Sequence, residues 1–111
     1  MRNYRTFLED IVTSISKIER FTKDLDYKAF QSNELVIDAV LRNLELIGEA
    51  ARRLPDEIKE KNKDIPWKRL IGLRNIVIHE YFGVDLEIIW KIAKENLPYT
   101  KSRILKLLNS F

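Results

Sequence analysis

Residues 34–54 read ELVIDAVLRNLELIGEAARRL, and the spacing of their apolar side chains decides the fold. Ile37, Val40, Leu41, Leu44, Ile47 and Ala51 fall on one face of a helix of 3.6-residue period. Ala39, Leu46 and Ala50 widen that stripe, so this helix needs neighbours on more than one side. Asn33 is placed to cap it, Glu34 puts negative charge into its first turn, and Pro55 stops it. Gly48 costs about 1 kcal/mol against Ala in a helix interior; close packing against a second helix accounts for it.

Outward from this helix the chain repeats the same grammar. On the N-terminal side, Tyr4, Phe7, Leu8, Ile11, Ile15 and Ile18 define an amphipathic helix over 4–22. A polar connection follows over 22–32, with a short helical turn around 27–30. On the C-terminal side, Pro55 can open a short, charged, exposed helical segment over 55–63. Asp64 is expected to cap a helix with Pro66 in its first turn, carrying Trp67, Leu70, Ile71, Ile76, Val77 and Ile78, and Gly83 is expected to end it. Trp67 and Trp90 are read as core residues. Asp85 should cap a helix over 85–96, and Pro98 should open the last one, over 98–109. No strand-like alternation and no internal repeat interrupts this pattern. The expected fold is all-α, an up-and-down bundle of four main helices plus short extras.

Composition narrows the chemistry. A chain of 111 residues, 45% hydrophobic and 33% charged, is expected to form one domain over 1–111 with a real core. No apolar run approaches the ~20 residues of a spanning helix, and residues 1–10 carry no apolar stretch of the kind a secretory signal needs. The absence of cysteine excludes a disulfide scaffold, a cysteine zinc site and a thiol nucleophile, and fits a cytoplasmic protein. With one histidine, His79, a His-rich metal site within one chain is excluded too. No metal or cofactor is expected. Twenty Lys and Arg against seventeen Asp and Glu give a net charge of +3, which permits nucleic-acid binding without arguing for it.

The chemistry-bearing stretch is Leu73-Arg74-Asn75-Ile76-Val77-Ile78-His79-Glu80-Tyr81-Phe82-Gly83. On a helical wheel continued from Trp67, Arg74 and Tyr81 fall inside the apolar sector. A guanidinium there is costly unless it is paired or faces a polar pocket. Asn75 and His79 lie four apart on one flank. His79 falls in the last turn, where the helix dipole favours the imidazolium. A histidine that titrates near neutrality can take and return a proton, and an arginine fork can hold a phosphate and the charge developing on it. Asn75 can orient either. Such a set suffices to cleave RNA without metal, because RNA brings its own nucleophile, the 2′-hydroxyl. Acid–base cleavage works best with two proton-transfer groups. The lone histidine therefore calls for a homodimer that shares one cleft between two copies. The plainer alternatives are a dipole partner for His79, a core position with a wet hydroxyl for Tyr81, and a capping role for Asn75.

These residues resemble the signature of the HEPN superfamily, and within it the HepT-like toxins. Arg-Asn-x-x-x-His-x-Tyr is met by Arg74, Asn75, His79 and Tyr81. The flanking text is similar as well: AVLRNLELIGEAARRL over 39–54, Pro66-Trp67, Ile71-Gly72-Leu73 and Tyr81-Phe82-Gly83-Val84-Asp85. The resemblance implies a HEPN-like helical bundle that dimerises. It also implies ribonuclease activity with Arg74 and His79 in a basic cleft, and a partner resembling the MntA nucleotidyltransferase antitoxin that transfers AMP to Tyr81. AMP two residues from His79 would block RNA by charge and bulk. Arg52, Arg53, Lys68 and Arg69 are the candidate contacts to the RNA backbone. A second reading stands beside the first, a non-catalytic subunit that binds a nucleotide or docks a nucleotidyltransferase. A third is a purely structural helical dimer.

Overall fold

In the computed structural model, residues 4–80 and 85–110 are described, residues 79 and 80 through their backbone alone. The first amphipathic stretch forms α1 (Tyr4–Thr22), within the expected bounds. A short α2 (Tyr27–Gln31) follows, opened by the Asp26 side chain, which accepts from the Ala29 N–H. Next comes α3 (Glu34–Arg53), capped as expected by Asn33, whose side-chain oxygen accepts from the Val36 N–H at 3.0 Å. The charged segment after Pro55 is α4 (Asp56–Lys61), none of whose residues is buried.

The two long amphipathic helices make the most extensive packing of the molecule, α1 on α3. Leu8, Ile11, Ile15 and Ile18 of α1 meet the core beside Val40, Leu44, Ile47 and Ala51 of α3, all with essentially no exposure. Burying each such side chain stabilises the fold by roughly 1.5–3 kcal/mol relative to leaving it in water. Phe30 of α2 is fully buried and packs on the part-buried Trp90 with ring centroids 5.0 Å apart. Trp67 is buried, as expected, whereas Trp90 sits at the margin of the core.

Three local expectations are corrected. Asp64 does not cap the helix that follows. That helix, α5 (Trp67–Ile71), begins after Pro66 with no side-chain cap, and the Asp64 carboxylate instead accepts from Arg103 Nη1 at 3.2 Å. Pro66 has no N–H and takes up the cap position, so the aspartate is left two residues too far upstream.

The helix of 64–83 is also not continuous. A turn at Gly72 separates α5 from α6 (Leu73–Glu80), and a wheel run straight from Trp67 misplaces the edges of the apolar face. Leu73 and Val77 are buried, but Ile78 is 52% exposed. The C-cap expected at Gly83 lies outside the described residues.

Finally, 85–96 and 98–109 are not two helices. α7 (Leu86–Lys91) is capped by Asp85, as expected, and runs through a π turn (Ile92–Asn96) into α8 (Leu97–Asn109). Pro98 has no N–H to give to the carbonyl four residues back, and its ring crowds that carbonyl. The backbone widens by one residue, and the Leu97 N–H reaches Ile92 O instead. Ile89, Ala93, Leu97, Ile104 and Leu108 all stay buried across the widened turn. The all-α class holds, with no strand among the described residues.

Candidate functional site

The site begins where α3 crosses the α5–α6 junction. Gly48 permits the crossing: a Cβ there would meet Arg74 Cγ at 3.0 Å and the Leu70 carbonyl oxygen at 3.2 Å. The missing side chain of Gly48 is thus filled by the stem of Arg74. This resolves the cost expected of a guanidinium on an apolar stripe, because the head is paired and not buried. The aliphatic stem lies against α3 while the head emerges, 46% exposed, beside Glu49.

Glu49 gathers three guanidinium groups. Arg52 donates to both of its oxygens, at 2.7 Å through Nη2 and 3.4 Å through Nε. Arg53 Nε donates to Oε2 at 3.0 Å, and Arg74 Nη1 to Oε1 at 3.5 Å. The first two contacts follow from i,i+3 and i,i+4 spacing on one helix. The third joins α3 to α6 and depends on the Gly48 crossing. Hydrogen bonds from Arg52 and Arg53 hold the Glu49 carboxyl down from an ordinary 4.5 to about 2, against the opposing pull of desolvation. Glu49 in turn raises the Arg52 guanidinium above its usual range. One carboxylate against three cations leaves the cluster with a net charge of +2 at neutral pH.

The structure thus brings Arg52, Arg53 and Arg74 together. Lys68 and Arg69 are exposed on α5. Arg69 lines a different feature, a cavity of about 490 Å³ that also includes Asn96 and Tyr99 near the π turn. Asn75 is exposed in the first turn of α6, and His79 belongs to its last turn. Arg74 and His79 lie five residues apart on α6. Tyr81 lies outside the described residues. Glu49 was missed by sequence reasoning. Its signal was present in the spacing Glu49, Arg52, Arg53 directly after a helix-interior glycine, but its reach to Arg74 needs the helix crossing.

The family model described as "Ribonuclease HepT-like" matches residues 11–107, from within α1 to within α8, and so takes in every residue of this cluster. The chain belongs to the HepT-like ribonuclease family. Among its relatives, a Methanocaldococcus jannaschii protein provisionally named as an RNase is 46% identical over 103 residues, covering 93% of this chain and 94% of its own. A Thermococcus cleftensis protein named a probable ribonuclease HepT is 39% identical, covering 96% of each chain. A Caldanaerobacter subterraneus subsp. tengcongensis protein, also provisionally named as an RNase, is 34% identical over 97% of this chain and 96% of its own. No solved structure matches the chain.

Proposed function

We propose that this HepT-like chain, folded as a single HEPN-like domain, is a metal-independent endoribonuclease and the toxin of a toxin–antitoxin pair. In this reading it acts as a homodimer with Arg74 and His79 of both copies at a shared cleft. A nucleotidyltransferase antitoxin, MntA-like, neutralises it by attaching AMP to Tyr81. The observation that carries this is the Arg74 guanidinium, held at the surface of α6 by Glu49 beside Arg52 and Arg53, on the helix whose last turn holds His79.

The chemistry is internal transesterification. His79 of one copy takes the proton of the RNA 2′-hydroxyl as its oxygen bonds to phosphorus. The bond from phosphorus to the 5′-oxygen breaks, and that oxygen receives its proton from the imidazolium of the second copy. A 2′,3′-cyclic phosphate and a 5′-hydroxyl result. Arg74 binds the phosphate and stabilises the charge that builds on its oxygens, while Asn75 orients the ring or a phosphate oxygen. Arg52 and Arg53 at the end of α3, with Lys68 and Arg69 on α5, hold the flanking backbone.

The test is cleavage of single-stranded RNA in EDTA. His79→Ala and Arg74→Ala should each lose about 10²–10⁴-fold in rate. Equal cleavage by wild type and both variants would remove the assignment. No cleavage by a folded wild-type dimer would favour the accessory-subunit reading. Incubation with the antitoxin and ATP should add AMP mass to the wild type and none to Tyr81→Phe; label on that variant would discard Tyr81.

A further inference from the structure

Three guanidinium groups within reach of one another repel unless an anion sits among them. In this chain the anion is internal. Glu49 accepts four hydrogen bonds from Arg52, Arg53 and Arg74, two at each carboxylate oxygen. Each guanidinium carries about five donors, so most of them still face outward. We propose that Glu49 is a positioning residue, an internal counter-anion that locks Arg52, Arg53 and Arg74 into one outward-facing clamp for consecutive RNA phosphates. The inference rests on the ribonuclease reading for its substrate.

Two effects of Glu49 oppose each other. Its negative charge weakens the local field felt by RNA, so it reduces affinity. Its one contact to Arg74, at 3.5 Å, ties that guanidinium to the carboxylate that Arg52 and Arg53 hold, so it favours the geometry in which charge develops on phosphorus. A group that merely supported the fold would help both binding and turnover. The clamp therefore has a distinctive signature, a gain in one constant with a loss in the other.

Glu49→Gln keeps the shape and removes the charge. The expected result is a KM lower by about twofold to fivefold, from the stronger positive field, with a kcat lower by about tenfold or more, from the loosened Arg74. Glu49→Asp restores the charge with a shorter reach, so KM should return to the wild-type value and kcat only in part. In a background of Arg74→Lys, which has already lost the fork, Glu49→Gln should cost little more in kcat, because the two changes act through one contact.

Wild-type kcat and KM in Glu49→Gln, or a kcat loss that multiplies with that of Arg74→Lys, would overturn the proposal. A second measurement needs no cleavage. Side-chain ¹⁵N relaxation of the arginine Nε–H groups should show Arg52, Arg53 and Arg74 all gaining mobility in Glu49→Gln, and Arg74 equally mobile with and without the carboxylate would refute the clamp. A wild type that fails to cut RNA defeats the nuclease reading and leaves this second arm to decide the present one.

Discussion

A single carboxylate gives the site its electrostatic character, and its titration is measurable. Glu49 is held at about 2 against an ordinary 4.5, so the folded state binds its proton more weakly than the unfolded state does. The sign follows directly. The stabilisation from Glu49 is complete above about pH 4.5 and is lost as pH falls from there towards 2. The stability difference between wild type and Glu49→Gln should therefore be constant above pH 4.5 and shrink below it, read by denaturant unfolding at a series of pH values. A difference independent of pH down to 2 would contradict the ion-paired state of Glu49. Gly48 supplies the second residue-scale case. Alanine there gains about 1 kcal/mol of helix propensity, but its Cβ would press on the Arg74 stem at 3.0 Å and on the Leu70 carbonyl oxygen at 3.2 Å, a backbone atom that cannot swing away. Overpacking of this kind costs about 1–3 kcal/mol. Gly48→Ala should lose about 1 kcal/mol net, a fall of about 4 °C in Tm, and should also displace the Arg74 stem.

Helix ends separate what is written locally from what is not. Asn33 and Asp85 were legible as caps because the cap bond reaches only two or three residues along the chain. The stripes of α1 and α3 were legible because a 3.6-residue period needs no knowledge of partners. Asp64 was misread because Pro66 shifts the helix entry, and the α7–α8 junction was misread because a proline can widen a helix as well as start one. Arg74, Arg52 and Arg53 were visible as basic residues, but their convergence on Glu49 was not. It depends on how closely α3 and α6 cross, and only Gly48 hinted at that. The caps make this contrast testable. Asn33→Ala removes a true cap and should cost about 1 kcal/mol. Asp64→Ala removes only a partly exposed pair with Arg103 and should cost well under that. Equal losses in thermal unfolding would mean that Asp64 supports its helix after all.

Taken as one body, the molecule carries only +3 of net charge, so affinity for RNA has to come from where cations are concentrated and not from their number. Most acids in ion pairs among the described residues face a single cation each, as Glu45 does with Arg42 and Glu57 with Lys61. The exception is the end of α3, where three cations share one carboxylate. Salt dependence can locate the RNA on this surface. Each phosphate contact to a single strand contributes about 0.7 to the slope of log affinity against log salt. Changing Arg52 and Arg53 together to Gln should lower that slope by about 1.4 for an uncleavable 2′-O-methyl RNA. The corresponding pair on α5, Lys68 and Arg69, lies on a neighbouring element outside the Glu49 cluster and should lower it less. Full effect at Lys68 and Arg69 with none at Arg52 and Arg53 would move the RNA path off the end of α3. Arg74 would then be held by Glu49 for a purpose other than gripping the RNA backbone.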